Sequence, residues 1–245
     1  MRASLNIISP IARSEPPTFA GGGRTRVLEV RRSPRARAMR LAVDPRDGAV
    51  RLTLPARTAL RQGFAWAETK RGWIEGALAA LPRHVPIAHG ATIPFQGREL
   101  LVDWSSGCSR GVRRDGDVLV VGGPAEHLGL RVLRWLKAEA LRTLDRETRA
   151  IADAGGIALG RIGIGDPRSR WGSCSASGDI RYSWRLILAP PDVLRATVAH
   201  EVAHRLHMHH GPAFHRAVAD LFGREPVAER AWLKAHGATL WMVVD

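Results

Sequence analysis

Apolar and polar residues alternate along the first part of the chain. Val27-Leu28-Glu29-Val30, Met39-Arg40-Leu41-Ala42-Val43 and Val50-Arg51-Leu52-Thr53-Leu54-Pro55 put apolar side chains on one side and mainly Arg on the other. This period of two predicts three short strands, each half-buried. The run Asp44-Pro45-Arg46-Asp47-Gly48 supplies a turn between the last two. Ahead of them, Ser14-Glu15-Pro16-Pro17 and Gly21-Gly22-Gly23 disfavour regular structure, so residues 1–25 read as a flexible leader. Residues 57–81 have helical spacing and are closed by Pro82. Residues 91–121 form a second β region, with turns at Gln96-Gly97 and Asp115-Gly116. A long helix over residues 124–154 stops at Gly155-Gly156.

The last third changes character. Residues 161–164 suggest a strand, and residues 168–174 and 178–187 suggest two more around Ser175-Ala176-Ser177-Gly178. Helices are expected over 191–208, from Pro212, and from Pro226 to about residue 235, with proline suited to a first helical turn. Strands mixed with segregated helices predict an α+β fold. The expected organisation is a leader (1–25), a basic β-rich N-terminal region with helices (26–123) and a helix-rich C-terminal region (124–245). Residues 26–245 are expected to form one compact unit.

Composition narrows the class. A chain of 245 residues, 45% hydrophobic and 24% charged, has the make-up of a globular protein with a core. No uncharged run approaches the roughly 18 residues a spanning helix needs, so no membrane span is expected. Two cysteines, Cys108 and Cys174, make no disulfide framework. No basic segment leads into an apolar signal region, so a cytoplasmic location is expected. Lys+Arg number 37 against 23 Asp+Glu, a formal charge of +14. Such a field attracts nucleic acid or other polyanions, and it also serves simple solubility.

The chemistry concentrates in a histidine cluster: six of the ten His lie between residues 200 and 215. His200-Glu201-Val202-Ala203-His204 falls on an expected helix, where residues i and i+4 share a face one turn apart. Two imidazoles so placed can share one metal ion. Glu201, about 100° round the helix, can act on water rather than on the metal. This is the zincin arrangement, with Zn²⁺ and a Glu general base. A catalytic zinc keeps three protein ligands, so a third is needed. His207 would lie about 7.5 Å along the axis from the shared ion on a straight helix, which is too far. His210 reaches if the chain turns back before Gly211-Pro212, and it is the favoured donor. His209, a residue type that tolerates a left-handed turn, and the carboxylates Glu225 and Glu229 are the alternatives. Cys174 reads as a strand residue before a ligand.

A second unusual stretch, Ser169-Arg170-Trp171-Gly172-Ser173-Cys174-Ser175, precedes Ile180-Arg181-Tyr182-Ser183-Trp184-Arg185-Leu186-Ile187. On a hairpin beside the metal helix, Arg170, Trp171 and Tyr182 would meet an extended peptide, and Gly172 would permit close backbone approach. The alternative is a twisted hairpin with its tryptophans in the core.

Arg170-Trp171-Gly172-Ser173-Cys174, Gly178, Ile180, Trp184-Arg185-Leu186, Ala189-Pro190, the His200–His204 motif, His210 and Phe214 occur in order, with Trp73-Ile74 upstream. Together they resemble the YgjP-like metallopeptidase family, itself similar to SprT and Wss-type zinc proteases. The resemblance implies a zincin-like peptidase domain in the C-terminal region. It also implies zinc ligands at His200, His204 and His210, and Glu201 as catalytic base. Three positions depart from the family pattern: His209 stands for Asn, Gly211 for Ser and His215 for Trp. The expected activity is hydrolysis of a polypeptide by metal-activated water, with Glu201 moving the proton. Arg170, Arg181, Tyr182 and His207 are candidate oxyanion stabilisers. A nucleic-acid-associated protease and a non-enzymatic zinc scaffold are the rival readings.

Overall fold

The computed structural model of the chain describes residues 15–81, 85–167 and 169–244. By its internal contacts the chain divides into two units, one up to residue 82 and one from residue 83 onward. The architecture is α+β.

In the first unit, β1 (Thr18–Gly21), β2 (Arg24–Ser33), β3 (Arg40–Val43) and β4 (Val50–Pro55) form one sheet in the order β1-β2-β4-β3. Strands β2 and β4 run parallel, and the outer pairs are antiparallel. The alternation read from sequence puts Leu28, Val50, Leu52 and Leu54 on one face. There they pack with Phe19 and with Ala67, Ile74 and Leu78 of α1 (Leu60–Glu68) and α2 (Arg71–Ala79). In the register of the other face, Arg31 and Arg40 both lie opposite Thr53.

Two details differ from the sequence reading. Residues 18–21, read as leader, form β1, because Gly22 and Gly23 adopt left-handed φ angles of 59° and 73° and turn the chain back on itself. Residues 1–14 lie outside the described residues. The helix expected over 57–81 is two helices. At the break the Thr69 hydroxyl donates to the Trp66 carbonyl at 2.7 Å, a side-chain bond that competes with helix continuation.

The second unit opens with β5 (Val85–Pro86), followed by β6 (Thr92–Phe95), β7 (Arg98–Ser105), β8 (Gly111–Asp115) and β9 (Val118–Gly122). The last four form a sheet in the order β6-β7-β9-β8. The 27-residue α3 (Leu128–Ala154) presents Val132, Leu136, Ala140 and Leu144 to the core. A three-stranded sheet follows, from β10 (Ile162–Gly165), β11 (Gly172–Cys174) and β12 (Ile180–Ser183), with β12 central and β11 at an edge. Strands β11 and β12 are shorter than expected. The Ser183 hydroxyl accepts from the Arg185 amide and turns the chain into a 3-10 segment, Trp184–Leu188. Arg185 is buried there. It bonds Asp166 at 3.0 Å and the carbonyls of Leu240 and Val243, with its guanidinium 4.6 Å from the rings of both Trp184 and Trp241.

Helices α4 (Pro191–Ala203), α5 (Pro212–Phe222) and α6 (Val227–His236) complete the unit, with β13 (Val243–Val244) pairing parallel to β5. Most of α4 is buried, including Val193, Leu194, Val198, Ala199 and Val202. It ends five residues earlier than expected. The amides of Arg205 and Leu206 bond the carbonyls of Val202 and Ala203, three residues back, which closes the last turn tightly. Among the described residues, no helix is long and apolar enough to cross a membrane.

Candidate active site

The early end of α4 decides where the histidines go. His200 and His204 project from its last turns, and the chain then loops so that His210 arrives just ahead of α5. The loop needs no left-handed residue at His209: among the described residues, Gln96 is the non-glycine with positive φ. The ring of His210 lies 5.1 Å from that of His200 and 4.8 Å from that of His204, centre to centre. One nitrogen from each of the three rings lies within 4.8 Å of the others. Among the described residues this is the group of His, Cys, Asp or Glu able to hold a metal ion.

Several contacts prepare these rings. His204 Nδ1 is 3.2 Å from the His207 carbonyl. A carbonyl only accepts, so Nδ1 carries the hydrogen and Nε2 keeps its lone pair. The ring of Phe214, on α5, lies 4.6–4.9 Å from all three imidazoles and forms an apolar base beneath them. Burial, then the neighbouring His204 and His210, lowers the pKa of His200 to about 4, and burial lowers that of His204. Neutral imidazoles with free lone pairs are the form that binds a metal. His200 Nε2 and His210 Nε2 stand 3.2 Å apart. This donor set fits a shared cation. Of the alternative donors, Glu225 bonds Arg230 and Glu229 bonds Arg224, and neither His207 nor His209 belongs to the convergent group.

Glu201 is 5% exposed. Burial raises its carboxyl to about 7, with the charge of Arg170 pulling the other way. Its side chain packs on the backbone of β11. A Cβ built on Gly172 would fall 2.5 Å from Glu201 Oε1, so no larger residue fits there without moving the carboxylate.

Strand β11 is one wall of a cleft of about 570 Å³ whose other walls come from α4, α5 and α6. The Ser183 amide bonds the Trp171 carbonyl, and the Ser175 amide bonds the Asp179 carbonyl. Antiparallel alternation then turns the N–H and C=O of Gly172 and Cys174 away from β12, to the open edge. Arg170, Trp171 and Cys174 line the cleft, and burial raises the Cys174 thiol pKa. Tyr182, expected to meet substrate, does not line it. Tyr182 is fully buried with its hydroxyl 3.0 Å from Thr148 Oγ1, because the hairpin turns this residue toward α3. Of the four oxyanion candidates only Arg170 faces the cleft.

Arg205 was not singled out by the motif reading. Its guanidinium donates to the Ala158 and Ala176 carbonyls at 3.1 and 3.2 Å and ties the end of α4 to the turn between β11 and β12. Its place directly after the second motif histidine is the one sequence signal, and no spacing rule gives it a role.

Convergent imidazoles beside a buried carboxylate, in a cleft edged by a strand, define a candidate hydrolytic metal centre on an α+β scaffold. The family described as YgjP-like, metallopeptidase domain, matches residues 37–236, and the chain belongs to that family. A metallopeptidase requires a metal ion, and the three histidines form a group able to hold one. No curated protein and no solved structure matches the chain.

Proposed function

We propose that this protein is a zinc-dependent peptidase in which His200, His204 and His210 hold Zn²⁺ and Glu201 is the general base. The observation that carries the reading is the convergence of three ring nitrogens within 4.8 Å beside the buried Glu201 carboxylate. Three imidazoles with room for a fourth donor suit a catalytic zinc. When bound, the ion supplies a Lewis acid that acidifies water and polarises a carbonyl.

The remaining work falls to the chain. Glu201 takes the proton of the attacking water and returns it to the departing amine. Gly172 leaves the space in which that carboxylate sits. The open amide and carbonyl groups of Gly172 and Cys174 hold the substrate backbone as an added strand. Arg170 makes no hydrogen bond or ion pair with another described residue. Its guanidinium stabilises the oxygen that gains charge as the carbonyl becomes tetrahedral.

Metal analysis of the purified protein, paired with a casein or peptide-library digest, tests this. Wild type and Glu201→Gln should each carry about one zinc, and the variant should lose at least about a hundredfold in hydrolysis. Equal hydrolysis by both would remove Glu201 from the mechanism. Unaltered metal content in His210→Ala would remove His210 from the ligand set.

One observation favours an additional polyanion partner. Exposed Arg31 and Arg40 flank Thr53 across the outer sheet face of the first unit, near Arg35 and Arg37 in sequence, and none of the four has an ion pair among the described residues. Single-stranded nucleic acid held there would dissociate steeply with salt, with a log–log slope of about −0.7 per phosphate contacted. Replacing Arg31 and Arg40 by Ala should flatten that slope. An unchanged slope would leave the positive charge without this role.

A further inference from the structure

The cleft does not end at the histidines. Ala196 and Thr197 line it one helical turn before His200, and Val193 two turns before, about 10 Å along the helix axis. The facing wall comes from α6, where Leu233 stands two turns beyond Pro226 on the same face. Val218 of α5 and the Trp171 ring complete an apolar enclosure.

The charged groups in that wall are already engaged. Glu229 is 5% exposed and bonded by both outer nitrogens of Arg224, at 3.0 and 2.5 Å. Arg230 bonds Glu225 at 2.9 Å. A basic side chain entering here would meet Arg230 and Arg170 and find the carboxylate of Glu229 already paired. An acidic one would be desolvated against Val193, Ala196 and Leu233. A large neutral apolar side chain loses nothing on entry and gains burial.

We propose that this extension of the cleft is a specificity pocket that receives one large apolar side chain, of the leucine, methionine or phenylalanine class, from a polypeptide substrate. Its position relative to the cut bond rests on the peptidase reading, which places the scissile carbonyl at the histidines. Ala196 and Thr197 are about 6 Å from His200, and successive Cα atoms of a peptide are 3.8 Å apart. The selected residue is therefore the first or second from the bond cut.

The test is binding rather than turnover. Full-length Glu201→Gln protein, loaded with zinc, is titrated with short labelled peptides that differ at one position at a time, read by fluorescence anisotropy. At one position Leu, Met and Phe should bind about tenfold tighter than Gly, Asp or Lys. Equal affinities at every position would overturn the pocket. Adding Leu233→Asp, at a partly exposed site, should abolish the preference while zinc content stays the same. A preference that survives this change would also overturn the assignment. If apolar preference is found but wild type cleaves nothing, the pocket stands and the peptidase reading fails. Cleavage without preference gives the reverse.

Discussion

Gly172 and Glu201 occupy one space: the missing side chain of the first is where the second holds its carboxylate. Gly172→Ala should therefore act on chemistry more than on folding, because the atoms it strikes are the flexible end of a glutamate rather than backbone. A fall of at least about tenfold in kcat, with KM, zinc content and thermal midpoint near wild type, is the expected kinetic result. Equal losses in stability and activity would show a structural role instead. The place of Gly172 was legible in the sequence, since a glycine inside a strand pattern signals close approach. So was the pairing of His200 with His204, which follows from the helical repeat alone. Tyr182 was not legible. A tyrosine in a short strand reads the same on either face, and its orientation is decided by Thr148, 34 residues earlier on α3. The sequence equally gave no sign that Phe214 would underlie three rings at once.

Among the elements, the end of α4 matters most. Apolar Leu206 and Met208 continue the helical pattern and suggest a helix to residue 208, yet they are 51% and 47% exposed. The chain leaves the helix at Ala203, where Arg205 reaches out to two carbonyls of other segments, and this exit frees His210 to join the cluster. Such long-range bonds have no local signature, so motif spacing could nominate His210 without fixing where the helix stops. Arg205→Ala removes two charge-assisted hydrogen bonds and should cost about 2 kcal/mol in urea denaturation, with weaker zinc binding by competition with a chelator. A variant with native stability and full metal affinity would deny the strut its role.

For the molecule as a whole, each unit has its own core. Among the described residues, strands β1–β4 pair only among themselves, and so do β6–β9. The sequence shows two β-rich stretches on either side of a helical one that ends before residue 82, but both alternate alike, and periodicity does not say which strands pair. The first unit contains a buried acid, Asp44, that makes stability depend on pH. Burial would raise its carboxyl, but hydrogen bonds from the Arg46 side chain and amide and from Arg51 outweigh this and hold it well below the usual carboxylate range. A group depressed in the folded state stabilises above its unfolded pKa of about 3.9, and the gain is lost as pH falls toward the folded value. At pH 7 Asp44→Asn should lower stability by about 2 kcal/mol. The difference from wild type should shrink through acid titration below pH 4, measured by chemical denaturation at each pH. A gap that stays constant down to pH 2 would place the stabilisation elsewhere.

The free rim of β11 is three residues long, and that brevity carries a consequence for what can be cut. A helix or an inner strand of a native target already satisfies its own amides and cannot offer them to Gly172 and Cys174 without first unravelling. Chains caught partly unfolded, loose tails and long surface loops present such backbone at no cost. The enzyme proposed here would thus discriminate by the folding state of its target before reading any side chain.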